Sequence, residues 1–182
     1  MKNNCYLCYP FFRPSDGDGG LYIVENKVLC VMNITSDIIP IACDHAGFEL
    51  KEFLKKELSE KGFNIKDMGT YSSESVDYPD MIHPLASAVN EGEFKFGIII
   101  CGTANGVSMV ANKYPCVRCA VCWETEIAEL AKQHNNANII ALPARFISKE
   151  KALDIFYAYY NAVFEGGRHQ RRIDKIAIKD NK

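Results

Sequence analysis

The chain has 182 residues, 48% of them hydrophobic and 24% charged, with a formal net charge of −2. That length is enough for one domain with a full core, and the charge balance excludes a general nucleic-acid or membrane-surface binder. No apolar run approaches the ~18 residues of a membrane-crossing helix, and Met1 to Gly20 lacks a signal-peptide apolar run, so a cytoplasmic protein with reduced thiols is expected.

Residues 1–36 differ in character from the remainder of the chain. "PFFRPSDGDGG" is turn-rich, and "LYIVENKVLCVMNI" reads as a hairpin closed around Glu25-Asn26-Lys27. The expected division is an N-terminal extension over 1–36, a hairpin or partly disordered arm, and one domain over 37–182.

From Ser36 onward apolar runs alternate with helical patterns. "IIPIAC" (38–43) is a first strand, with Pro40 near its start or on an edge. Leu50, Phe53, Leu54 and Leu58 then share a helical stripe that Gly62 ends. "FNIKDM" (63–68) is a second strand, followed by the polar loop "GTYSSESVDYP". Pro79 opens the next helix, and Pro84 must lie in its first turn or bend it. "FGIIIC" is strand three, then comes a glycine loop and a helix through Asn112. "VRCAVC" is strand four, "ETEIAELAKQ" a helix and "NIIAL" strand five. Ser148 caps a last long helix ending at Gly166-Gly167. This alternation predicts an α/β fold, a Rossmann-like three-layer α/β/α sandwich around a five-stranded, mainly parallel sheet.

Ligands in such sheets bind beyond the carboxyl ends of the strands, near a reversal of strand order. Three groups stand next to strands: Cys43-Asp44-His45-Ala46-Gly47 after the first, Cys101-Gly102-Thr103-Ala104-Asn105-Gly106 after the third, and His134-Asn135-Asn136 before the fifth. They are expected to meet on one rim of the sheet. Each also has a plain reading: a buried cysteine, a tight turn, an Asp helix cap and a solvated histidine at a helix end. The glycine loop lacks the third glycine of a dinucleotide fingerprint and the Gly-Lys-Ser/Thr of a P-loop. On spacing alone it fits an anion site and a plain turn equally. Arg168 and Arg172, four apart in "EGGRHQRRIDKI", would share a helix face suited to phosphate, whereas Arg171 reads as solvated. From Arg168 to Lys182 six Lys/Arg stand against two Asp, a local basic tail.

Eight cysteines are more than usual. Cys5-Tyr-Leu-Cys8 has no second pair at zinc-site distance. Cys116, Cys119 and Cys122 recur every third residue of a strand, which turns Cys119 away from the other two. No metal site is expected.

The motifs "CDHAGFELK", "GTYSSESVDYP", "CGTANGVSMVANK", "QHNNANIIAL", "AR" and "EGGRHQRR", in this order over roughly residues 37–176, resemble the RpiB/LacAB family of sugar-phosphate isomerases. The resemblance implies a Rossmann-like fold, a homodimer or dimer of dimers whose active sites draw on both subunits, and no cofactor. It implies interconversion of ribose 5-phosphate and ribulose 5-phosphate, with a six-carbon aldose phosphate (allose or galactose 6-phosphate) as the alternative substrate. A non-catalytic phosphosugar sensor is the remaining reading. Carried over by motif, Cys101 is the base that moves a proton between C1 and C2. Thr103, with the loop amides around Gly102 and Gly106, holds the enediolate oxygen. His134 assists ring opening, while Asp44 and Asn135 bind sugar hydroxyls. His45, Arg145, Arg168 and Arg172 are phosphate candidates, and Tyr78 lines the sugar. The family usually reads CGTGxG, and Ala104 stands at its second glycine. An ordinary helical φ at Ala104, and therefore an unstrained loop, is expected. A helix N-terminus and glycine-loop amides are also expected to pull the Cys101 thiol down.

Overall fold

The computed structural model describes residues 38–177 and, as backbone only, 23–24 and 27–28. The chain divides into two compact units, Met1–Thr35 and Ser36–Lys182. In the first, β1 (Ile23–Val24) pairs antiparallel with β2 (Lys27–Val28), in the register Ile23↔Val28 and Val24↔Lys27. Glu25 and Asn26, which lie between them, are outside the described residues. Cys5, Cys8 and Cys30 lie outside the described residues, as does the end of the basic tail.

The second unit is built on five strands: β3 (Ile38–Cys43), β4 (Asn64–Asp67), β5 (Gly97–Cys101), β6 (Cys119–Val121) and β7 (Ile139–Pro143). They pair in the order β4-β3-β5-β7-β6, every neighbour parallel. Their continuous apolar runs reflect burial on both faces. One face packs Ile39, Ile41, Ile98, Ile100, Ile140 and Leu142 against α1 (Phe48–Glu60), α4 (Thr125–Asn135) and α5 (Lys149–Asn161). The other packs Ala42, Ile99, Ile139 and Ala141 against α2 (Tyr78–Asn90) and α3 (Asn105–Ala111). Cys119 packs on the α2/α3 side and Cys122 on the α4/α5 side, so the strand pleat separates them.

Pro84 takes the second of its two expected places, inside α2, where its missing N–H leaves the Asp80 carbonyl without that helical partner. Three local expectations change. Strand β6 is only three residues long: the Val117 N–H closes a turn onto the Tyr114 carbonyl (3.0 Å), and the Arg118 N–H donates to the Asn138 side chain (2.7 Å). Helix α4 runs on to Asn135, where Asn136 adopts φ 44° and stops it. Helix α5 ends at Asn161, where Ala162 turns extended at ψ 143°. Gly167 instead precedes a separate short helix, α6 (Arg168–Ile173).

Candidate active site

The sheet order reverses between β3 and β5, and the crevice beyond their carboxyl ends is where this fold leaves room for a ligand. The Asp44 N–H donates to the Ile100 carbonyl (3.2 Å), tying the two strand ends together. The Asp44 carboxylate is 5% exposed and caps the 3-10 turn His45–Gly47, its Oδ1 accepting from the N–H of Ala46 (2.9 Å) and Gly47 (3.1 Å). The cap reading of Asp44 thus holds, and it also fixes where the rest of the carboxylate points. Gly47 is required there, since a Cβ would lie 2.8 Å from Ile100 Cγ2 and 2.9 Å from Cys43 Cβ.

Cys101 ends β5, partly buried. Its thiol is pushed up, first by burial and then by Asp44, which accepts its hydrogen bond and adds a like charge to the thiolate; the N–H groups of Thr103 and Ala104 pull the other way and lose. This corrects the expectation of a lowered thiol. The amides act as anticipated, but α3 is one short helix of seven residues and burial outweighs them. Cys43 is the less reactive of the neighbouring thiols, because burial carries it up to about 12.

Around this pair the crevice is closed by three contacts. Arg145 lies over Gly102, where a Cβ would meet its Nε at 3.2 Å and Cδ at 3.3 Å, and its own N–H donates to the Gly102 carbonyl (3.1 Å). The Tyr78 ring lies over Gly106, where a Cβ would meet Cζ at 2.8 Å. His45 Nδ1 accepts from the Val76 N–H (3.4 Å), which holds the loop before Tyr78. Thr103 is exposed, its Oγ1 accepting from the Asn105 N–H (3.4 Å). Asp44, His45, Tyr78, Cys101, Gly102, Thr103, Gly106 and Arg145 therefore form one group at the switch point.

Ala104 sits at φ 61°, ψ −8°, the left-handed region, contrary to the expected helical φ. A non-glycine residue there costs roughly 1–2 kcal/mol. The Ala104 side chain is fully buried and packs with Ala42, Ile99 and Val107. Burying one methyl returns about 0.8 kcal/mol. The methyl is fully buried in the core on the α2/α3 side of the sheet.

His134 and Asn135 do not join this group within the chain. Helix α4 runs antiparallel to the strands and ends where β7 begins; the Asn138 carbonyl accepts from the Gly97 N–H (3.0 Å) at the start of β5. That is the amino edge of the sheet, whereas Cys101 pairs with Pro143 at the carboxyl edge. Four strand residues, roughly 13 Å of rise, separate the two levels. The expectation of a common rim within one chain is overturned by the direction of the helix.

At the amino edge lies a second cleft of about 330 Å³, lined by His134, Asn135, His169, Arg172, Ile173 and Ile176. The His134 and His169 rings stack with centroids 4.2 Å apart and planes 7° from parallel. Arg168 Nε donates to His169 Nε2 (3.2 Å), and Glu165 Oε2 lies 3.4 Å from that nitrogen and 3.8 Å from His134 Nε2. His169, buried at 5% exposure, escaped the sequence reading although it stands between Arg168 and Arg172 in the same motif. His134, Glu165 and His169 do offer three donor atoms within 4.8 Å of one another. Two parallel stacked rings cannot both aim in-plane lone pairs at one ion, however, and Arg168 already uses that of His169. The trio is a stacked histidine pair with a carboxylate beside it.

The profile of the ribose/galactose isomerases matches residues 39–176. Ribose-5-phosphate isomerase B of Escherichia coli (strain K12) is 44% identical over 138 residues, 76% of this chain and 93% of that protein. The crystal structure of a ribose 5-phosphate isomerase from Thermotoga maritima superposes with a TM-score of 0.75 at 48% identity, covering 76% of this chain and 96% of that one. A Mycoplasma genitalium ribose-5-phosphate isomerase B with bound ribulose 5-phosphate gives 0.73 at 43% identity, covering 76% and 93%. With its parallel sheet, its switch-point cysteine and this similarity along most of each relative, the chain belongs to the ribose/galactose isomerase family.

Proposed function

We propose that the chain interconverts D-ribose 5-phosphate and D-ribulose 5-phosphate through an enediolate. The observation that carries this reading is the Cys101 thiol at the switch point, between the Asp44 carboxylate and the Thr103 and Ala104 amides. An aldose–ketose isomerase must take a proton from carbon and hold the charge that results. The Cys101 thiolate removes the proton from C2 of the open-chain aldose, and the electron pair moves through the new C1=C2 bond onto the C1 oxygen. The loop amides and Thr103 stabilise that oxygen; the C2 hydroxyl proton passes to the C1 oxygen, and the thiol returns its proton to C1 as the C2 carbonyl forms. Tyr78 and Asp44 line the sugar, and Arg145 and His45 stand beside it.

His134, Asn135, Arg168 and Arg172 complete the site from a second copy of the chain, because one copy keeps them at the opposite edge of its sheet. His134 then serves ring opening, Asn135 a sugar hydroxyl and the arginines the phosphate. The functional unit is thus a homodimer. Residues 1–36 are an extension to the isomerase domain 37–182. Among the described residues no helix is long and apolar enough to cross a membrane.

Purified protein given ribose 5-phosphate should form ribulose 5-phosphate, and Cys101→Ala should lose at least about 100-fold in kcat, the scale of losing one transition-state donor or more. Equal rates for the two proteins would reject the assignment. Running allose 6-phosphate and galactose 6-phosphate beside it separates the five-carbon from the six-carbon reading. A phosphosugar sensor would bind without exchanging the C2 hydrogen for solvent deuterium.

A further inference from the structure

The stacked histidines at the amino edge do two different things. Arginine Nε can only donate, so its 3.2 Å contact makes His169 Nε2 the acceptor and places the remaining ring proton on Nδ1. That requires a neutral His169. Burial lowers its proton affinity first, then the neighbouring His134 and the Arg168 and Arg172 charges, with only Glu165 opposing. Engaging Nε also fixes the plane of the exposed Arg168 guanidinium and leaves its two terminal amino groups to grip an anion. Meanwhile the face of the same ring lies parallel against His134, a half-exposed side chain at the end of α4. His134 thus has one wall that limits its rotation.

We propose that His169 is a positioning residue with two separable tasks: its Nε2 orients the Arg168 guanidinium for phosphate, and its ring face orients His134 for ring opening. The proposal rests on the assignment of His134 to ring opening and of Arg168 to the phosphate.

Two variants of the full chain divide the tasks. His169→Phe keeps a flat ring against His134 and removes the acceptor. It should raise the KM for ribose 5-phosphate and the inhibition constant of inorganic phosphate about tenfold, leaving kcat and its pH profile within about twofold. His169→Gln keeps an acceptor oxygen and removes the ring. It should lower kcat about tenfold and displace its pH profile, with the phosphate inhibition constant within about threefold. The His134 ring resonances, followed by NMR through a pH titration, should shift in His169→Gln and hold in His169→Phe. Calorimetric binding of inorganic phosphate should weaken in His169→Phe. These last two readouts need no turnover, so a chain inactive on ribose 5-phosphate would reject the activity and still test His169. Variants that change KM, kcat and the titration alike, or change none of them, overturn the proposal. A common fall in melting temperature with no split between the parameters is a purely structural role and overturns it too.

Discussion

Two residues at the carboxyl edge set the chemistry's conditions. Because burial and Asp44 push the Cys101 thiol up, the thiolate proposed as the base is scarce at neutral pH. The sign is fixed by that direction: kcat/KM should climb with pH, and its rising limb should extend above the ordinary thiol value of about 8.5. A pH–rate profile on ribose 5-phosphate checks it, and a limb centred below that value would show that the loop amides win after all. Ala104 is the other residue. Glycine in its place would relieve the left-handed strain, lose the buried methyl and gain freedom in the unfolded chain. These terms nearly cancel, so Ala104→Gly should change stability by no more than about 1 kcal/mol, a few degrees in melting temperature. A larger loss in calorimetric melting would mean that the methyl carries more of the loop than its area indicates.

At the scale of elements, the loop after β4 is held at its root by a buried ion network. Lys51 on α1 is fully buried, its Nζ 2.6 Å from both Asp67 oxygens and 3.0 Å from Glu52, with the Tyr71 ring 5.3 Å beneath it. Lys55 reaches the same carboxylate (2.8 Å), and Asp67 Oδ1 accepts from the Gly69 N–H (3.0 Å). Burial pushes the Asp67 carboxyl up, but Lys51, Lys55 and Gly69 together more than reverse it and hold it below the usual range. A depressed folded value contributes stability above the unfolded pKa of about 3.9 and loses it as pH falls through the folded one. Lys51→Met leaves Asp67 with only Lys55 and the Gly69 N–H and should cost about 2 kcal/mol at neutral pH. The deficit relative to the parent should shrink below pH ~4; urea melts at pH 7 and pH 3 measure both, and equal deficits would exclude the ion pair as the cause. None of this network was legible in the sequence, because pairing between α1 and β4 depends on three-dimensional proximity. The strands were legible from their apolar runs, and the Gly62 stop of α1 from its position. The end of α5 was not, since Ala162 gives no local signal for extended backbone. The edge at which His134 stands could have been read from connectivity alone: a helix between parallel strands must return its end to the edge where the next strand starts.

For the whole molecule, the separation of Cys101 from His134 has a direct test. Cys101→Ala and His134→Asn should each be nearly inactive as pure proteins. Mixed and reassorted in equal amounts, they should recover about a quarter of the parent activity, since in the proposed dimer half of the pairs are mixed and each mixed pair has one intact site. Recovery no greater than the sum of the two pure variants would mean that each chain works alone. The switch-point group was legible as a set of motifs, whereas any sharing of a site between two copies was not, because sequence order says nothing of which copy a residue serves.

The ring of Tyr78 occupying the space above Gly106 ties two distant positions into one unit of inheritance. A methyl at 106 is blocked while tyrosine stays at 78, and a smaller residue at 78 opens a gap that glycine cannot fill. Each change is costly alone and tolerable in company, so the order in which substitutions arise decides whether this wall of the crevice can be rebuilt. Reshaping this wall of the crevice therefore takes a paired change at positions 78 and 106.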